Sequence, residues 1–217
     1  NTPLFEMWKR GEFEPYNSQQ AADVIARCKQ FIPEYCRVMR VDRDIPTTLV
    51  AAGVKNSNLR EMIKVKCDEY GIKCKCIRCR EAGLKSRNEV VNVDDAKLKR
   101  LDYRASGGDE VFLSFEANDT LFGFCRLRKP GKPFLKEIDD KTCGVRELHV
   151  YGDQAPIGRK GIVQHHGLGK KLLEEAEKIS QEEFDAHKLL VISGVGAREY
   201  YHKLGYKRTG HYMGKKL

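Results

Sequence analysis

Three groups of residues have the types and spacing to do chemistry. Cys74-Lys-Cys76-Ile-Arg-Cys79 crowds three thiols into six positions. Thiolates so close together suit a soft or borderline metal, and zinc with four tetrahedral ligands is the usual case. Cys67 is a candidate fourth ligand, with Cys36 or a distant His as rivals. The eight cysteines come without a signal peptide that would argue for a disulfide framework, so a structural metal is expected ahead of free thiols.

The second group is Gln164-His165-His166-Gly167-Leu168-Gly169-Lys170, at the start of the longest amphipathic pattern in the chain. A helix start offers unpaired N–H groups and the positive end of the dipole, and glycines let phosphates approach the backbone. A pyrophosphate suits such a place; the plain alternative is a pair of glycines shaping a tight loop. Ser193-Gly-Val-Gly196-Ala-Arg198 also sits between a strand and a helix pattern, but Glu199 stands where a dinucleotide fingerprint needs its third glycine. That segment is expected to be a ligand-facing loop or a close strand-to-helix packing point.

The third group is Tyr200-Tyr201. Taken alone such a pair is more often core, but neighbours on a helix point in different directions, so one phenol can donate a hydrogen bond to a ligand while the other packs or contacts RNA. Glu147 has the chemistry of a general base for an amine, although an ordinary salt bridge is the preferred reading.

The elements that position these groups follow from periodicity. Residues 17–31 and Asn58–Tyr70 read as helices, with Tyr35–Val41 as a strand between them. Strands are expected at Lys99–Ser106, Val111–Ala117, Leu121–Arg128 and Val145–Tyr151, with a hairpin turn at Asn118-Asp119. A long helix over Gly167–Phe184, a strand at Lys188–Ser193, a short helix at Ala197–Leu204 and a closing strand at Tyr206–Met213 complete the chain. The expected fold class is α/β, more closely a mixed α+β sheet with helices, in two domains spanning residues 1–86 and 87–217.

Composition excludes several classes. The 41% apolar share supplies a core, and no apolar run approaches the roughly 20 residues that cross a bilayer. A soluble, cytoplasmic protein with no membrane partner is the expectation. The formal charge is +9, and the stretch Lys55–Arg104 holds 14 basic against 8 acidic residues. Such density favours a phosphate-rich partner, a solvated surface being the alternative.

With those residues in view, Gln164-x-x-Gly-x-Gly, preceded by Glu147-Leu148-His149-Val150 and followed by Ile192-Ser-Gly-Val-Gly196 and Tyr200-Tyr201-His-Lys-Leu-Gly-Tyr206, resembles the acetyl-CoA-binding core of the GNAT acetyltransferases. More narrowly, it resembles the family of Elongator catalytic subunits. Phe5-Glu-Met-Trp-Lys, the Arg37-x-x-Arg40-x-x-Arg43-Asp-Ile-Pro46 run, Asn58-Leu-Arg and Arg80-Glu-Ala-Gly look like the tail of that family's radical-SAM domain. The resemblance implies a GNAT-type domain preceded by the C-terminal part of a radical-SAM domain and a cysteine-rich metal knuckle. It implies an acetyl-CoA-dependent enzyme that makes 5-carboxymethyluridine at wobble uridine 34 of tRNA. It places the pantetheine arm along Glu147–Val150, the pyrophosphate on residues 164–170, and acetyl-CoA against Tyr201 rather than Tyr200. Arg37, Arg40, Arg43, Lys64, Lys66, Lys73, Lys75, Arg78 and Arg80 are the expected phosphate contacts for tRNA. The family's S-adenosylmethionine and 4Fe-4S cluster need a C-x-x-x-C-x-x-C that does not occur in residues 1–217, so a region upstream of Asn1 is expected to carry it. Elongator-type partner subunits or a homo-oligomer are compatible with this reading. Two competitors remain: a protein lysine acetyltransferase, which would need a poised Glu, and a non-catalytic zinc-stabilised RNA-binding module.

Overall fold

A computed structural model of the chain describes residues 2–41, 46–85, 92–151 and 167–217. They form two compact units, Asn1–Cys79 and Arg80–Leu217, so Arg80 to Lys85 go with the second unit. In the first, helix α1 (Pro3–Lys9) is capped by the Thr2 side chain, which accepts the Phe5 N–H. Helix α2 (Ser18–Cys28) starts from a reciprocal capping box between Asn17 and Gln20, then tightens into a 3-10 turn at Lys29–Phe31. Helix α3 spans Leu59–Glu69. Three alanines of α2, Ala21, Ala22 and Ala26, meet Leu59, Ile63 and Cys67 of α3. Small side chains on one partner let the two backbones come close and leave the larger ones of the other to fill the seam. Helix α4 (Ile77–Arg80) is a single turn following the cysteine knuckle.

The segment Tyr35–Val41, expected as a strand, is irregular. Its backbone is pinned at separate points, by the Ile77 N–H on the Cys36 carbonyl at 2.9 Å and by the Arg60 guanidinium on the Met39 carbonyl at 3.1 Å. Extended polar alternation does not make a strand without a partner ladder, and none lies alongside it among the described residues.

The second unit opens with α5 (Ala82–Lys85) and then builds β1 (Lys97–Ala105), β2 (Gly108–Ala117), β3 (Thr120–Lys129) and β4 (Thr142–Val150). Helix α6 (Leu168–Glu182) precedes β5 (Lys188–Val191), α7 (Arg198–Lys203), β6 (Lys207–Thr209) and β7 (Tyr212–Lys216). One seven-stranded sheet results, ordered β1-β2-β3-β4-β5-β7-β6, with β4 and β5 the parallel pair and the other pairings antiparallel. The β2–β3 turn has Asn118 and Asp119 both at positive φ, 47° and 58°, as a two-residue hairpin matching strand twist requires. The closing segment is a hairpin rather than the single strand expected over Tyr206–Met213, because the chain reverses between Thr209 and Tyr212. Helix α6 buries Leu172, Leu173, Ala176 and Ile179 against Val111, Leu113, Cys125, Leu127, Cys143, Val145, Leu189 and Val191 of the sheet. The mixed sheet with a long crossover helix is the fold expected from the periodicities.

The opposite face of the sheet carries charge. Glu110, whose side chain is wholly enclosed, accepts from Arg128 at 2.7 Å and Arg146 at 2.6 Å. Glu116 accepts from Arg80, with both side chains buried, and from Lys99 at 3.1 Å.

Candidate functional site

The site is built where β4 and β5 part. They pair from Thr142↔Lys188 to Val145↔Val191, with one further bond from the Ile192 N–H to the Val145 carbonyl at 3.1 Å. Beyond that point β4 continues through Arg146–Val150, paired with β3 on one side and with no strand on the other among the described residues. The register between β3 and β4 slips at Arg126/Leu127, which leaves Arg146 as the extra residue of a bulge. A bulge bends its strand, and this one lies where the ladder with β5 ends, so a wedge is left beside the continuing part of β4. One wall is therefore the backbone of Glu147, Leu148, His149 and Val150, a row of N–H and C=O groups that an extended ligand could pair with as an added strand does.

The N-terminus of α6 closes one end of the wedge. Gly167 is its N-cap at φ 71°, a left-handed conformation that a side chain would strain, and no side chain caps the helix among the described residues. Leu168 is buried, no acidic residue occupies the first turn, and Lys170 is exposed with Glu174 3.5 Å from its ammonium. The first N–H groups of such a helix have no intrahelical acceptor and carry its positive dipole end. A Cβ on Gly169 would stand 3.1 Å from the Tyr200 hydroxyl and 3.6 Å from Val150 Cγ2. This one position brings together the helix start, the end of β4 and α7. Gln164, His165 and His166 lie outside the described residues.

The two tyrosines have different surroundings. Tyr201 is 6% exposed and packs edge-on against Tyr206 with ring centroids 5.9 Å apart, inside the core beneath α6. Tyr200 is 41% exposed and brings its hydroxyl to Gly169. Burial, then the neighbouring Tyr200 and Cys125, push the Tyr201 phenol up to about 12, and burial with the Glu174 carboxylate raises Tyr200. Both stay protonated at neutral pH and are donors, but the described packing turns Tyr200 toward the wedge. Gly194 and Gly196 have open space where a Cβ would be, so they are not the close packing points weighed from sequence.

Glu147 is held by Arg126, whose Nε donates to it at 2.8 Å while its Nη1 donates to the Tyr103 hydroxyl at 2.7 Å. A carboxylate already engaged by a guanidinium is a poor general base, which fits the salt-bridge reading. Leu148 packs on the core under α6, Val150 on Phe122 and Leu168, and the His149 ring stacks on Tyr151 with centroids 6.3 Å apart.

In the first unit the sulfurs of Cys74, Cys76 and Cys79 lie within 4.8 Å of one another. Three thiolates on one zinc stand about 3.8 Å apart, so a small contraction closes the set. Hydrogen bonds from Cys74 and Cys79 and from the backbone N–H groups of Cys79 and Val38 outweigh burial and lower the Cys76 thiol, while the same side-chain contacts and burial raise Cys79. The Lys29 ammonium lies 3.6 Å from both Cys74 and Cys79 sulfurs. Burial alone would lower its pKa; the attraction of Cys79, Cys74 and Cys76 outweighs that and raises it. Cys67 does not join the cluster: it is buried in the α2–α3 seam with its sulfur 4.0 Å from the Ala26 carbonyl. Its helical phase, not its sequence distance, decides this.

Of the basic residues singled out as phosphate contacts, Arg37, Arg40, Lys64, Lys73 and Lys75 are exposed in the first unit. Lys66 is half-buried and pairs with Glu69 at 2.6 Å, Arg78 is half-buried, and Arg43 lies outside the described residues. Arg80 is no surface contact: at 5% exposure its guanidinium is committed to buried Glu116. Sequence reasoning missed Lys29 and the identity of Arg126 as the partner of Glu147. The second was signalled by acids and bases at alternating positions of adjacent strands, with Arg126 directly opposite Glu147.

Residues 1–69 match the Radical_SAM C-terminal domain and residues 160–216 the acetyltransferase (GNAT) domain. A "tRNA uridine(34) acetyltransferase" of Methanocaldococcus jannaschii is 52% identical over 100% of this chain and 41% of its own length. Human "Elongator complex protein 3" is 42% identical over 100% of this chain and 40% of its own. A solved structure titled as the archaeal Methanocaldococcus infernus Elp3 with an N-terminal deletion superposes with a TM-score of 0.92 at 51% identity, covering 100% of this chain and 53% of that one. The chain thus spans about two fifths of the length of the curated relatives it matches.

Proposed function

The chain belongs to the family of tRNA uridine(34) acetyltransferases and Elongator complex protein 3, and on that premise we propose that it binds acetyl-CoA and tRNA as part of an acyltransferase that modifies wobble uridine 34, the product being 5-carboxymethyluridine. The observation that carries this reading is the convergence at Gly169 of a helix start and a β4 end that have no side-chain cap and no second strand among the described residues, together with the Tyr200 hydroxyl. The pyrophosphate accepts from the first N–H groups of α6, with Lys170 beside it. The pantetheine arm lies along Glu147–Val150, and the thioester reaches Tyr200, which donates to its carbonyl or to the departing thiolate. A radical formed from S-adenosylmethionine would supply the activation of the acetyl carbon. The cysteines of these 217 residues lack the spacing of that cluster's ligands, and what the residues do here is bind, orient and donate. Cys74, Cys76 and Cys79 hold a structural zinc, which fixes the knuckle bearing Lys73, Lys75 and Arg78 against an RNA backbone.

The test is release of free CoA thiol from acetyl-CoA with and without tRNA. Release stimulated by tRNA is expected; acetylation of added peptides instead would favour a lysine acetyltransferase, and tRNA binding without turnover a non-catalytic module. In the same assay Tyr200→Phe is expected to lower release by about 100-fold with little change in CoA affinity, the size typical of one missing proton donor. An unchanged rate would remove Tyr200 from the chemistry. For tRNA, Arg37→Ala/Arg40→Ala/Lys64→Ala is expected to weaken binding and to flatten the plot of log affinity against log salt. The slope should fall by roughly 0.7 to 0.9 for each phosphate no longer neutralised. A parallel plot at equal slope would place the RNA elsewhere.

A further inference from the structure

We propose that Lys29 is an integral outer member of the cysteine centre, its ammonium balancing the charge of a metal held by three thiolates, so that no fourth cysteine is required. This rests on the metal reading of Cys74, Cys76 and Cys79 given above. Lysine is almost never fully buried without a partner, and Lys29 is 5% exposed at the foot of α2. Its partners are Cys74 and Cys79, each with sulfur 3.6 Å from the Nζ, and both sulfurs belong to the three that share a 4.8 Å neighbourhood. No other His, Cys, Asp or Glu joins that set among the described residues. A divalent ion on three thiolates carries one net negative charge. Enclosing that charge in protein is costly, and an ammonium donating to two of the sulfurs brings the total to zero. The N–H···S bonds also orient the two thiolates they meet, as outer partners of metal ligands do. The 3-10 turn at Lys29–Phe31 aims this side chain at the knuckle, 45 and 50 residues further along the chain.

The experiment titrates the full chain with cobalt(II) and with zinc(II) against a chromophoric chelator, in wild type, Lys29→Met, Lys29→Arg and Cys67→Ala. Lys29→Met is expected to weaken binding by about 10- to 100-fold, the usual loss on removing an outer partner of a metal ligand. Lys29→Arg keeps the charge and is expected to recover most of the affinity, and it carries the test if the Met variant does not fold. Cys67→Ala is expected to leave the thiolate-to-cobalt absorption band at wild-type intensity. Wild-type affinity in Lys29→Met would overturn the proposal. So would a folded Lys29→Arg as weak as the Met variant, since a direct amine ligand would behave that way, or a weaker band in Cys67→Ala. Failure of the wild type to bind either ion would overturn the metal reading itself, while leaving the CoA site untouched.

Discussion

Gly169→Asp is expected to weaken acetyl-CoA binding by about 100-fold while leaving the melting temperature unchanged or slightly raised. An acid in the first turn of a helix complements its dipole, and α6 has none there, so folding loses nothing electrostatically. The same carboxylate would occupy the place of the pyrophosphate and repel it. A like-charge encounter of this kind costs several kcal/mol, and about 2.7 kcal/mol is 100-fold in affinity. Bulk has a separate effect, because a Cβ at this position meets the Tyr200 hydroxyl at 3.1 Å. Gly169→Asn isolates it: the Asn variant should retain more affinity than Asp, the difference being charge. Equal losses in the two would mean that space alone governs the site.

Glu116→Ala is expected to destabilise the second unit by about 3–5 kcal/mol, lowering its melting temperature on the order of 10 °C. Its partner Arg80 sits on the turn that follows the cysteine knuckle, and the buried guanidinium would lose this carboxylate, the expensive way to break such a pair. Glu116→Gln keeps the shape and an acceptor, so its loss should be smaller. The pH dependence has a definite sign. Burial alone would raise the Glu116 pKa; the hydrogen bond and charge of Arg80, with Ser114 and Lys99, outweigh it and hold the carboxyl below its usual 4.5. A carboxylate depressed on folding contributes stability that is present above the unfolded value and is lost as pH falls through the folded one. Wild type should therefore lose stability more steeply than Glu116→Gln below about pH 4.5. Parallel acid-unfolding curves for the two would contradict the assignment.

Much of this was legible in the sequence, for physical reasons. The α6 stripe of Leu172, Leu173, Ala176 and Ile179 and the two-residue turn at Asn118-Asp119 are local signals, and both elements formed where the periodicity put them. The cysteine trio was legible because its members are neighbours along the chain. Features that need distant segments were not. Lys29 reads as an ordinary helix-end lysine until the fold sets it beside sulfurs 45 and 50 residues away. Arg80 counts as positive charge in composition, yet Glu116, 36 residues on, takes it out of the surface. Tyr200 and Tyr201 are equivalent by type, and only the packing of Tyr201 on Tyr206 tells them apart. The bulge at Arg146 beside the wedge has no composition cue, since it arises from a register slip between β3 and β4.

Calorimetric titration of acetyl-CoA into the folded chain addresses the anion cradle at α6 most directly. A saturable, single-site heat in wild type that falls by about two orders of magnitude in affinity in Gly169→Asp is the predicted result. A folded wild type that gives no heat, or one whose affinity the aspartate leaves unchanged, would contradict it.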